Sequence, residues 1–177
     1  MPRLYAWQDQ SHPVRLVEQS WQKGDPDPKA LACYGLLVRP GPQQADQMWW
    51  RFVVGRPVRA VTIAFLAWSS AQLAAQGFTA LCLIWDNASW HRSDAVRHWS
   101  RQHKQQVKQG AVGVRLVVCP LPSKSPWLNP IEPKWVHGKR AVSEADRLLN
   151  ADELEARVYA YYGCEREAHL VMPKKVA

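Results

Sequence analysis

Two acidic residues stand where a carboxylate can do chemistry. Asp86 closes the apolar run LCLIW and is followed at once by Asn87 and a polar stretch. In open α/β sheets, ligands gather beyond the carboxyl ends of strands. A carboxylate at that point is held firmly yet stays within reach of a cation. The same Asp-Asn pair reads equally well as a turn that merely ends the strand. Glu132 lies in LNPIEPKW. There Asn129 fits an N-cap, Pro130 the first helical position, and Glu132 the third, which together make a capping box. By spacing alone the cap is the fuller account of Glu132, although a carboxylate aimed by a cap can still bind a metal. Asp9 ends the opening run RLYAWQD and mirrors Asp86, with a solvated turn as its ordinary reading. Asp25 and Asp27 are rivals, set in a loop between prolines.

Carboxylates from two strand ends and a helix start suit a hard divalent cation. Mg²⁺ takes oxygen ligands, usually one or two carboxylates with water and substrate phosphate. Two such ions about 3.5–4 Å apart activate an attacking oxygen and stabilise a leaving one. That chemistry is phosphodiester cleavage or transfer on a nucleic acid. Asn87 and His91 are auxiliary candidates. His91 can contact phosphate or assist proton transfer, or simply make a structural hydrogen bond. No Ser or Cys sits in a nucleophile turn, and no Gly-rich phosphate loop is present.

The elements that must position these groups follow from patterning. Residues 3–9 and 14–21 read as strands separated by Ser11-His12-Pro13, and 23–29 (KGDPDPK) as a loop. Residues 30–38 read as a buried strand, which completes a three-stranded antiparallel meander. Residues 39–47 read as a loop and 55–58 as the end of an irregular piece. Val61, Phe65, Leu66 and Leu73 then predict a helix running to Gly77. The nearly continuous apolar run 79–85 predicts a central strand buried on both faces. Ser93 caps a helix reaching Gln109-Gly110, with Val96, Trp99, His103 and Val107 on one stripe. A strand at 114–119, a helix from Pro130, and a helix from 151 to 162 between Asn150 and Gly163 complete the chain. The expected architecture is α/β, a mixed sheet flanked by helices.

The net charge of +8 is concentrated. Residues 92–140 hold ten of the 23 Lys and Arg but two of the 15 Asp and Glu, so the remainder balances. A neutral body with one basic segment suggests a polyanion partner, although a solvated face accounts for it as well. Most of the ten Trp are expected in the core, with stacking on bases as the lesser use. No apolar run approaches the roughly 20 residues of a membrane span. The opening MPRLYAWQDQ has no secretory pattern, and Cys33, Cys82, Cys119 and Cys164 form no CxxC pair. These features predict a cytosolic chain with free thiols.

The runs LIWDNASWH and LPSKSPWLNPIEPKW, in that order, resemble the second and third catalytic motifs of DDE transposases of the Tc/mariner superfamily, and within it the bacterial insertion-sequence branch. The resemblance implies a ribonuclease H-like fold, with a three-stranded antiparallel meander plus parallel strands flanked by helices. It makes Asp86 the second catalytic Asp and Glu132 the catalytic Glu. Asp9, followed by Gln10 where the family often has Glu, becomes the first. All three would bind two Mg²⁺ or Mn²⁺. Implied partners are element-end and target DNA, with a homodimer on DNA and no membrane. The implied location is bacterial cytoplasm, associated with the nucleoid. Arg92, Lys124, Lys134, Lys139 and Arg140 flank the carboxylates, and Arg97, Arg101, Lys104 and Lys108 form a basic helix stripe, all suited to DNA phosphates. The 45 residues between Asp86 and Glu132 exceed the mid-thirties spacing usual in the superfamily. No helix-turn-helix segment precedes the first strand. The chain is therefore read as one catalytic domain over 1–177, with 163–177 as a tail. A hydrolysis-only nuclease of the same fold and a catalytically decayed DNA-binding remnant are the alternatives.

Overall fold

A computed structural model describes residues 31–54, 58–123, 125–143 and 149–171. The strands expected at 3–9 and 14–21, with Asp9, Asp25 and Asp27, lie outside the described residues, as does Lys124. The described elements are β1 (Leu31–Val38), β2 (Gln47–Val54), α1 (Arg59–Ala75), β3 (Ala80–Trp85), α2 (Asp94–Lys108), β4 (Arg115–Pro120), α3 (Glu132–Val142) and α4 (Ala151–Tyr162), with a 3-10 turn at Pro126–Leu128. This is a mixed α/β arrangement consistent with a ribonuclease H-like fold.

β1 and β2 pair antiparallel, Leu31 opposite Val54 and Val38 opposite Gln47. β3 and β4 pair in parallel, Ala80 opposite Arg115 and Trp85 opposite Pro120. Among the described residues the two pairs remain separate sheets. Helix α1 joins them through three patches of its apolar face. Val61 and Phe65 pack on Tyr34 and Val53, Leu73 on Val38 and Leu116, and Leu66 on Leu83 and Val96.

β2 falls where the sequence suggested a loop and an irregular piece. MWWRFVV shows neither alternation nor helical spacing because both faces are used. Trp50 and Phe52 pack toward α4 with Tyr159, and Trp135 of α3 joins them, while Val53 enters the α1 layer. β3 departs from expectation in the other direction. Leu83 is buried, but Ala80, Cys82 and Ile84 (48% exposed) form an open face. Among the described residues, α3 and α4 pack on the β1–β2 pair through Trp135, Tyr159 and Tyr162. On the open face of β3, Cys82 Sγ lies 3.5 Å from Cys119 Sγ, and this hydrogen bond raises the Cys82 thiol pKa.

The helix ends follow their residue chemistry. Ser93 Oγ accepts the Val96 amide at the start of α2. Asn150 and Glu153 close a capping box on α4, which Gly163 ends at φ 63°. Helices α3 and α4 approach closely at Gly138. A Cβ there would collide with Tyr162 Oη, whose hydroxyl donates to the Lys134 carbonyl. Residues 164–171 are tied to β2: the Leu170 amide donates to Phe52, Arg51 Nε to Ala168, and Leu170 is buried. No helix among the described residues is long and apolar enough to cross a membrane.

Candidate active site

β3 delivers Asp86 to its carboxyl end. Asp86 Oδ1 accepts the Ala88 amide at 3.0 Å, the turn that the sequence offered as its alternative role. The same oxygen accepts from His91 Nδ1 at 2.8 Å. Oδ2 has no partner among the described residues, and the side chain is 46% exposed. The His91 ring lies flat on Trp85, with centroids 4.7 Å apart and 6° between planes, and meets Trp90 edge-on. Asn87 faces elsewhere: its Nδ2 donates to the Leu121 carbonyl at 2.6 Å and ties the loop after β3 to the loop after β4. The Leu121 amide in turn donates to Trp85, so both loops start from one fixed ladder.

Glu132 opens α3, but not through the expected capping box. The helix begins at Glu132 rather than Pro130, Ile131 holds the N-cap position, and no side chain caps the end. The Glu132 amide instead donates to the Asn129 backbone carbonyl at 3.0 Å. The prolines at 130 and 133 explain the shift. Pro130 has no amide to cap and fixes its own φ, so the chain makes one tight turn before the helix. Among the described residues the Glu132 carboxylate therefore has no hydrogen bond or ion pair.

Asp86, His91 and Glu132 line one cleft of about 750 Å³. Its walls include β1, β3 and the Asn129–Trp135 segment. Asp86 Oδ2 and the Glu132 carboxylate, both on partly exposed residues, are the kind of hard oxygen donor a divalent cation takes. No group of three His, Cys, Asp or Glu able to hold a metal forms among the described residues. A family model for the DDE superfamily endonuclease matches residues 48–155, more than half of the chain. The chain belongs to the DDE superfamily endonuclease family. The matched span of this DDE endonuclease contains both Asp86 and Glu132 and begins after Asp9. Domains of the family act on DNA and depend on divalent metals. No curated protein and no solved structure matches the chain.

Among the described residues, none of the basic side chains singled out from the sequence lines the cleft of this DDE endonuclease, whereas Arg39 does. Arg97, Arg101 and Lys108 are exposed on α2 and Lys104 half-buried, opposite buried Val96 and His103. Arg97 is engaged by Asp94, whose carboxyl it holds below the usual carboxylate range. Arg92 is exposed before α2, and Lys134, Lys139 and Arg140 are exposed on α3. The sequence reading missed Trp85 as the platform under His91. Its signal was the position itself, an aromatic residue directly before Asp86.

Proposed function

We propose that this chain is the catalytic domain of a cut-and-paste DNA transposase of the Tc/mariner superfamily, in its bacterial insertion-sequence branch. The observation that carries the reading is the meeting of Asp86 and Glu132 on one cleft within a span that matches DDE endonucleases. On this reading residues 1–177 form one ribonuclease H-like unit in which Asp9 supplies the third carboxylate. Asp9, Asp86 and Glu132 then hold two Mg²⁺ or Mn²⁺. Bound there, the ions supply activation of the attacking oxygen and charge stabilisation at the leaving oxygen.

The chain's own contribution is to bind and orient. Strand and helix ends fix the carboxylates, and the cleft admits a DNA backbone. Exposed Arg92, Arg101, Lys134, Lys139 and Arg140 neutralise phosphates, joined by half-buried Lys104, by Lys124 and, more weakly, by Arg97. Hydrolysis at an element end frees a 3′-hydroxyl, and that hydroxyl then attacks target DNA. Neither displacement passes through a covalent protein intermediate. The partners are element-end and target DNA, engaged by a homodimer in the bacterial cytoplasm.

The test incubates the chain with Mg²⁺ or Mn²⁺, a 3′-hydroxyl element end and target DNA, and resolves nicked from joined products. Asp86→Asn and Glu132→Gln are expected to lower both products by more than about a hundredfold, beyond the 10–100-fold typical of outer-sphere partners. Their melting midpoints should move little, because an amide oxygen at position 86 can still accept the Ala88 amide and Glu132 caps no helix. Nicking without joining would convert the reading to a hydrolysis-only nuclease. Unchanged products in both variants would sink it.

A further inference from the structure

We infer that His91 is a positioning residue, which confines metal binding at Asp86 to one oxygen by occupying the other. The inference rests on the carboxylate reading above and extends it to a group outside the carboxylate set. An ionised carboxylate only accepts hydrogen bonds. In the 2.8 Å contact the hydrogen is therefore on His91 Nδ1, whichever charge the ring carries. The Ala88 amide reaches the same oxygen at 3.0 Å, so both donors converge on Oδ1 and Oδ2 is left to the cleft.

Neither donor is loose. The Ala88 amide belongs to the turn that follows β3. The His91 backbone is held there too, its amide donating to the Ala88 carbonyl at 3.0 Å. The ring lies on Trp85 with 6° between planes, meets Trp90 at 77°, and its side chain is only 22% exposed. Trp85 is the last residue of β3, so a single strand end sets both the carboxylate and the platform that aims its partner. Without the Nδ1 donor, Asp86 keeps one hydrogen bond and its carboxylate can rotate about χ2, a broad torsion. A ligand whose orientation is averaged binds metal less tightly, and the loss of such outer partners typically costs about 10–100-fold in affinity or activity.

Two amide substitutions separate positioning from bulk. His91→Asn places its Nδ2 donor near the histidine Nδ1, whereas His91→Gln carries the same amide one carbon further out, near Nε2. His91→Phe keeps the ring on Trp85 and removes the donor. Mn²⁺ binding to the full chain without DNA, followed by electron paramagnetic resonance of free Mn²⁺, is the readout. The expected result is near-native binding for His91→Asn and about tenfold weaker binding for His91→Gln and His91→Phe. DNA cleavage by the two weak variants should recover at raised Mn²⁺. Equal binding by His91→Asn and His91→Gln would overturn the positioning role, provided Asp86→Asn has lost Mn²⁺. Should Asp86→Asn bind Mn²⁺ as tightly as the native chain, the carboxylate reading itself falls, and the role of His91 with it.

Discussion

At the end of β3 the two oxygens of one side chain are divided between the chain and the cleft. Asp86 Oδ1 closes the turn and receives His91, while Oδ2 stays open. The turn that competed with metal binding for this residue therefore uses one oxygen and leaves the other without a partner among the described residues. Glu132 behaves differently, because the capping box that competed for it does not form. Motif order singled out both residues, whereas local spacing could not, since prolines on either side of Glu132 displace the helix start by two residues. Trp127 belongs to this scale as well. It is 74% exposed on the 3-10 turn ahead of Glu132, while Trp50 is wholly buried. Aromatic side chains on such surfaces stack on unpaired bases for about 1–3 kcal/mol each. Trp127→Ala is expected to weaken single-stranded DNA binding by about that amount and leave the melting midpoint in place. Unchanged affinity in a fluorescence-anisotropy titration would reduce Trp127 to an exposed surface residue.

Single elements with one wet and one dry face were the most legible. Helix α2 shows this plainly: Val96, Ser100 and His103 are buried, Arg97 and Arg101 exposed, and Ser93 caps as expected. His103, placed on the apolar stripe by spacing alone, joins α2 to α1 through Ser70 and to the residue just before β4 through the Val114 carbonyl. β2 was illegible because periodicity needs a solvated face to alternate with, and its two faces are taken by different layers. The basic stripe of α2 carries its own prediction. Replacing Arg97, Arg101, Lys104 and Lys108 with Gln should weaken duplex binding and flatten the plot of log affinity against log salt. The slope should fall by roughly 0.9 for each phosphate that is no longer neutralised. Arg97 should contribute least, since Asp94 already holds it. A slope that does not change would mean the stripe is solvated surface.

Across the whole molecule, long-range ties decide what sequence patterning cannot reach. Residues 164–171 have no periodicity, yet they lie along β2 and seat Leu170 beside Tyr34 and Phe65. Their anchor is Glu155 of α4, 1% exposed, which accepts from Arg166 Nε at 3.1 Å and pairs with His169 Nε2 at 2.6 Å. A buried carboxylate is tolerated only when paired, and nothing local to Glu155 announces partners 11 and 14 residues ahead. Removing one member of a buried pair typically costs about 3–5 kcal/mol. Because Arg166 is largely exposed, Glu155→Ala should cost roughly 2–3 kcal/mol, read as a lowered denaturation midpoint in urea. A midpoint within error of the native one would show that the C-terminal segment holds by Leu170 and its backbone bonds alone. The parallel pair poses the opposite case, with Cys82 and Cys119 left on an open face. Their sulfur atoms meet diagonally because Cys82 is opposite Val117 and Ile84 opposite Cys119. A slip of one residue would send one of the thiols to the other side of the sheet. The two thiols thus form a built-in gauge of strand alignment: a short thiol-to-thiol crosslinker that bridges them reports, from a peptide map alone, that Asp86 stands at its proper height above β4.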